Sequence, residues 1–252
     1  MPRAPRPNAH PLLVTCEHAS NAVPAGFAAL FSSPYAQSAL RSHRGWDPGA
    51  ADAARLFARQ AAAPCLLGSC TRLLVDLNRS PAGPGLWSPF SRNLPPARKS
   101  AVVRAFHLPF RRAARAAIDR LLSSSRGPSF HLSVHSFVPK LDGLVRNAEI
   151  GLLYDPLRPL EAIWADAWES ALRRIAPAWR VRRNYPYLGV DDGHAADLRA
   201  QLPPDRYVGL ELEINQSLPL PGPRGRNLSL DALAQCFALS FQPFESCRVP
   251  PP

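Results

Sequence analysis

Lysine is almost missing from this chain: of its 30 basic residues only Lys99 and Lys140 are lysines. The other cations are arginines scattered along the sequence among abundant alanine and proline, the bias that a GC-rich coding sequence produces. The net charge of +11 comes with no nucleic-acid-binding motif, so no nucleic-acid partner is expected. Long apolar runs are lacking too. No stretch of about 20 residues is free of charge or proline, which argues against a membrane-spanning helix and a membrane partner. The basic start, Met1-Pro-Arg-Ala-Pro-Arg-Pro, has no apolar segment of the signal-peptide kind, and a cytoplasmic location is the expectation. The five cysteines, Cys16, Cys65, Cys70, Cys236 and Cys247, form no C-x-x-C pair. Their odd number and apolar surroundings speak for reduced thiols, against a disulfide framework or a zinc knuckle. Self-sufficient catalytic signatures are absent as well: there is no H-E-x-x-H, G-x-S-x-G, P-loop or G-x-G-x-x-G.

What is present suits a globular core, with 46% hydrophobic and 19% charged residues. Short apolar runs predict strands at Leu12–Cys16, Cys65–Gly68, Leu73–Leu77, Phe130–His135, Glu149–Leu153 and Tyr207–Ile214. Helical patterns cover Pro48–Ala63, Pro95–Ser124, Pro159–Ile175 and Leu228–Leu239, three of them opened by proline. Segment 80–94 reads as an ordered loop with aromatic anchors, a candidate lid; residues 1–10 and 248–252 read as frayed ends. The alternation predicts one α/β domain over 1–252, with a mixed, mostly parallel central sheet flanked by helices. In such sheets ligands sit beyond the carboxyl ends of the strands.

Polar residues fall at those ends. Cys16-Glu17-His18-Ala19-Ser20-Asn21 follows the first strand, and its histidine suits a metal or a backbone acceptor. Trp46-Asp47-Pro48 precedes a helix, so Asp47 is either an N-cap or a metal-ligating carboxylate. Asn78-Arg79, after Asp76-Leu77, offers a neutral donor and a planar cationic fork that fits a carboxylate. In Phe130–Phe137, period two puts His131, Ser133 and His135 on one face, with His135 nearest the ligand edge and His131 deeper and structural. Glu211 and Glu213 share a face of an apolar strand, a costly placement unless they are paired or bound to something.

Read in order, Thr15-Cys-Glu-His-Ala-Ser-Asn21 with Pro24, Trp46-Asp-Pro-Gly-Ala50, Arg72 to Asp76-Leu-Asn-Arg79, His135-Ser136, Arg146 to Gly151-Leu-Leu-Tyr154, Asn184-Tyr-Pro-Tyr187 and Glu213-Ile-Asn-Gln216 resemble the N-formylglutamate amidohydrolase family. The resemblance implies the phosphorylase/hydrolase-like fold of zinc-dependent exopeptidases, shared with zinc carboxypeptidases and aspartoacylases. It implies one zinc held by His18 and His135. The relatives' third ligand is a glutamate at the position of Asn21, so that role falls to Asp47, with Glu17 as the alternative. Glu213 resembles the catalytic glutamate, and Asn78-Arg79 the pair that holds the substrate carboxylate. Arg72 and Arg146 are further carboxylate or oxyanion candidates, and Ser136 and Glu211 are site neighbours. Family members often read Glu-Ile-Arg-Gln-Asp-Leu where this chain has Glu213-Ile-Asn-Gln-Ser-Leu218. The implied activity is metal-assisted hydrolysis of a small carboxylate-bearing amide such as N-formylglutamate. Cleavage of another carboxylate-bearing amide, or a binding protein without catalysis on the same fold, are the alternatives.

Overall fold

Period-two patterning in the long strands decides the architecture of the computed structural model, which describes residues 10–218 and 228–245. The expected frayed ends, His10 excepted, and Cys247 lie outside those residues. The strands are β1 (Leu12–Cys16), β2 (Cys65–Leu67), β3 (Ser129–Phe137), β4 (Lys140–Leu141), β5 (Leu144–Val145), β6 (Ile150–Leu153), β7 (Val181–Arg183) and β8 (Tyr207–Asn215). Six of them form one sheet in the order β2-β1-β3-β8-β6-β7, while β4 and β5 make a separate hairpin. All neighbouring pairs in the sheet run parallel except β6 against β8, the expected mixed arrangement.

The helices are α1 (Pro34–Arg41), α2 (Ala50–Ala61), α3 (Pro96–Val102), α4 (Leu108–Ser124), α5 (Pro159–Ile175), α6 (His194–Gln201), α7 (Leu228–Ser240) and α8 (Gln242–Glu245). On one sheet face Val14, Leu132, Leu210 and Leu212 pack with Phe57 of α2, Trp164 and Trp168 of α5 and Phe237 of α7. Each such aliphatic or phenyl side chain, removed fully from water, contributes about 1.5–3 kcal/mol. The opposite face, towards α4 and α6, carries Leu13 and Tyr207 with Ala114, Ile118 and Leu198. The same alternation turns Thr15, His131, Ser133, His135, Glu211 and Glu213 to that face, all of them buried. The polar half of the alternation is therefore a ladder of hydroxyl, imidazole and carboxyl groups running to the strand ends. Among the described residues no helix is long and apolar enough to cross a membrane.

Three expectations need correction. Leu73–Leu77 is not a strand: it forms turns between β2 and α3. Its apolar residues bury against Phe31, Leu40, Leu86 and Val102 in a second cluster, so a continuous apolar run here marks a buried loop. The helix expected over Pro95–Ser124 is broken in phase by a π-turn at Val103–His107, where the Leu108 N–H bonds the Val103 carbonyl. Pro109, which has no N–H to give the preceding turn, follows immediately. Short β7, α1 and α6 were not expected. The 80–94 loop is present and fastened down, since the Asp76 N–H donates to the Leu86 carbonyl at 3.0 Å and the Ser88 hydroxyl donates to the Leu73 carbonyl.

Candidate metal centre and cleft

β1 ends at Cys16, and the chain turns so that Glu17 and His18 point to different places. The His18 carbonyl accepts from the Asp47 N–H at 2.9 Å, which ties the loop before α2 to the end of β1. Asp47 does not cap that helix. Gly49 does, at φ 81°, a left-handed conformation suited to glycine, and the Asp47 carboxylate turns inward instead. Its Oδ2 lies 2.9 Å from His135 Nδ1 and 3.3 Å from His18 Nδ1. The two imidazole centroids are 5.0 Å apart. One ligand atom each from His18, Asp47 and His135 falls within 4.8 Å of the others.

The rear nitrogens are held too. His18 Nε2 donates to Asp76 Oδ1 at 2.7 Å, and Asp76 takes a forked contact from Arg72, with Nη2 at 2.9 Å and Nε at 3.2 Å. His135 Nε2 donates to Ser133 Oγ at 3.0 Å. The Ser133 hydroxyl in turn donates to Glu17 Oε2 at 2.7 Å, which itself lies 3.4 Å from His135 Nε2. With Nε2 of both rings committed to a carboxylate network, both Nδ1 atoms face Asp47. Carboxylate-backed imidazoles of this kind are how proteins present histidine to a metal, and two imidazoles with one carboxylate make a zinc-type donor set. These residues fit a divalent cation.

Glu17, His131 and His194 also converge, and there the Glu17 oxygens, both His131 nitrogens and His194 Nδ1 are all hydrogen-bonded, while His194 Nε2 is buried without a partner. Thr15 Oγ1 donates to Glu17 Oε1 at 2.8 Å, so His131 Nε2 must donate to Thr15, at 2.9 Å, and Tyr207 Oη to His131 Nδ1, at 2.7 Å. Burial pushes His131 down to about 3, consistent with a neutral ring. His194 Nδ1 meets Glu17 Oε1 at 2.8 Å. This group braces the sheet face under the first one.

Electrostatics separate the acids. Burial by itself would raise Asp47 and Asp76. His18 and His135 outweigh it for Asp47 and Arg72 for Asp76, so both carboxyls lie below their ordinary range. Burial would lower His18 and His135, yet Asp76 and Asp47 raise the first, and Asp47 and Glu17 raise the second. Glu213, next to His135 in the β3–β8 register, is the opposite case: burial dominates and pushes it up to about 7. Its Oε2 is buried with no hydrogen-bond partner.

His18, Asp47, His135, Ser136, Glu211 and Glu213 line a cleft of about 120 Å³ together with Arg72, Asn78 and Arg79. It is smaller than the clefts that hold drug-sized ligands.

A family model described as N-formylglutamate amidohydrolase matches residues 10–220 of the chain. The chain belongs to the N-formylglutamate amidohydrolase family. The crystal structure of a gene product from Agrobacterium tumefaciens is 27% identical, with 95% of this chain and 92% of that chain covered and a TM-score of 0.78. The N-formylglutamate amidohydrolase from Ralstonia eutropha JMP134 is 20% identical over 95% and 94%, with a TM-score of 0.64. No curated protein matches the chain.

In this N-formylglutamate amidohydrolase family member, the remaining residues singled out from sequence are placed unequally. The Arg79 guanidinium donates to the Asp192 carbonyl at the cleft wall. The Asn78 side-chain oxygen accepts from the His194 N–H at 2.8 Å, which holds the start of α6. Arg146 sits at the rim, 5.1 Å from the Tyr187 ring and 5.7 Å from the Phe137 ring, and both rings line the cleft. The Ser136 N–H points at Asp47 Oδ2 from 3.3 Å. Asn21 is not brought to the site; it is exposed and its amide donates to the Leu40 carbonyl. Sequence reasoning passed over Asp76 and His194. Asp76 stood in the Asp-Leu-Asn-Arg string, but a carboxylate that braces a histidine has no spacing rule of its own.

Proposed function

We propose that this chain is a zinc-dependent amidohydrolase that cleaves the amide of N-formylglutamate or a closely similar N-acyl amino acid. The observation that carries the reading is the placement of unpartnered Glu213 Oε2 in the cleft that holds the His18–Asp47–His135 cluster. Zinc held by His18, Asp47 and His135 would lower the pKa of a water towards neutrality and polarise the amide carbonyl. Glu213 takes the proton of the attacking water and delivers it to the leaving nitrogen. The carbon–nitrogen bond breaks and the products are a carboxylate and a free amine. Burial keeps the affinity of Glu213 for a proton close to neutral, where one group can both accept and return it. Asn78 and Arg79 hold the α-carboxylate and so place the scissile amide. Arg146 receives a second carboxylate at the rim.

Purified protein is tested for zinc content and for turnover of N-formyl-L-glutamate, with and without chelator. About one zinc per chain and chelator-sensitive turnover are expected. Glu213→Gln should keep the zinc and lose about 10²–10⁴-fold in kcat. Turnover by Glu213→Gln at the wild-type rate would remove its role. Full activity in metal-free protein would remove that of zinc.

A further inference from the structure

The turn that carries Asn78 and Arg79 is gripped from behind by two buried side chains. Arg111 Nε donates to the Leu77 carbonyl at 3.0 Å and its Nη2 to the Arg79 carbonyl at 2.8 Å. His107 Nε2 donates to that same Arg79 carbonyl at 2.8 Å. The two residues lie four positions apart across the junction of the π-turn and α4, on one face of the helix. Their relative exposures are 1% and 9%. A guanidinium placed beside the apolar α4 cluster is unfavourable unless its donors are used. Here two of its three donor contacts go to one turn; the third goes to Asp197 Oδ2 at 3.2 Å.

The rest of Arg79 is equally confined. Its N–H donates to the Asp76 carbonyl at 3.2 Å, and its guanidinium reaches the Asp192 carbonyl. Gly85 packs on its stem so closely that a Cβ there would stand 3.2–3.5 Å from its Nε, Cδ and Cγ atoms. A long side chain with several rotatable bonds is thus held at its root, along its length and at its tip. An anchor confined in this way surrenders little entropy when it meets a carboxylate.

We propose that His107 and Arg111 are positioning residues for substrate binding, fixing the main chain of Arg79 so that its guanidinium is presented to a substrate carboxylate. The inference rests on the reading of Arg79 as the anchor. It is tested in Arg111→Lys and His107→Gln, with Arg115→Ala as control. Arg115 lies one turn further on and meets Asp119 and Gln201 at the exposed surface. Two measurements are made: steady-state kinetics on N-formyl-L-glutamate, and calorimetric titration of zinc-free protein with L-glutamate, which reads the anchor without turnover.

The expected result in either positioning variant is a KM and an L-glutamate Kd raised roughly tenfold or more. The expected kcat and zinc content are near wild type, and the control is unchanged. Lower kcat at unchanged KM, or unchanged KM and Kd in both variants, overturns the proposal. Wild-type protein that binds L-glutamate without turning over substrate, with binding lost in the variants, supports it while removing the hydrolase reading. Wild-type protein that does not bind L-glutamate overturns it together with the anchor.

Discussion

Asp76 Oδ1 and His18 Nε2 stand 2.7 Å apart, and that bond decides which nitrogen of the imidazole looks into the cleft. Arg72 keeps Asp76 ionised and oriented. Removing the negative charge without changing shape, in Asp76→Asn, should weaken zinc binding about 10–100-fold. Competition with a chromophoric chelator measures it. Affinity equal to wild type would show that the ring needs no such brace.

Zinc binding should release protons at neutral pH. Without a cation, His18 and His135 hold protons to higher pH than free imidazole, because Asp76, Asp47 and Glu17 outweigh burial. Ligation requires both rings unprotonated at Nδ1. Calorimetry at pH 7 in buffers of different ionisation enthalpy should therefore show proton uptake by the buffer. Apparent affinity should fall as pH drops. A buffer-independent heat would contradict the assignment.

Glu213 gives a stability signature of known sign in zinc-free protein. Its folded pKa of about 7 lies above the ordinary 4.5. The stability it contributes is therefore complete below the ordinary value and lost as pH rises through about 7. Glu213→Gln cannot lose a proton, so its stability relative to wild type should improve between pH 5 and pH 8.5, by about 3 kcal/mol at most. Denaturant melts at the two pH values read this directly, and parallel pH dependences would exclude a raised Glu213.

Arg146, backed by two aromatic rings and bonded to the Tyr187 hydroxyl at 2.9 Å, should discriminate substrates by their second charge. Arg146→Gln is expected to raise KM for N-formyl-glutamate several-fold, equivalent to about 1 kcal/mol. N-formyl-norvaline, which lacks the distal carboxylate, should be nearly unaffected. Equal effects on both substrates would give Arg146 no part in selection.

The residues that sequence reading brought together meet because strand ends are legible. His18, His135 and Glu213 each interrupt or follow an apolar run, and period two fixes the face on which they emerge. The long strands β1, β3 and β8 and the helices α2 and α5 were visible for the same reason. Leu73–Leu77 was misread because a buried loop and a buried strand share the same apolar composition, and only the ladder of backbone bonds tells them apart. Asn21 was placed by its distance along the chain from His18, but the turn after β1 carries it to the surface. Asp76, His107 and Arg111 were out of reach as supporting residues. They act through other groups, across separations that no local pattern encodes.

The row His135–Glu213–Gly151 crosses three strands. A Cβ at Gly151 would stand 1.9 Å from the Tyr185 carbonyl oxygen and 3.1 Å from the Glu213 Cβ. That edge of the cavity is closed to gradual remodelling, because the smallest addition collides with main chain and not with a yielding side chain. Any change in the shape of the cleft must then come from the loop residues on its other walls, Arg79, Leu188 and Asp192 among them, while the sheet edge stays as it is.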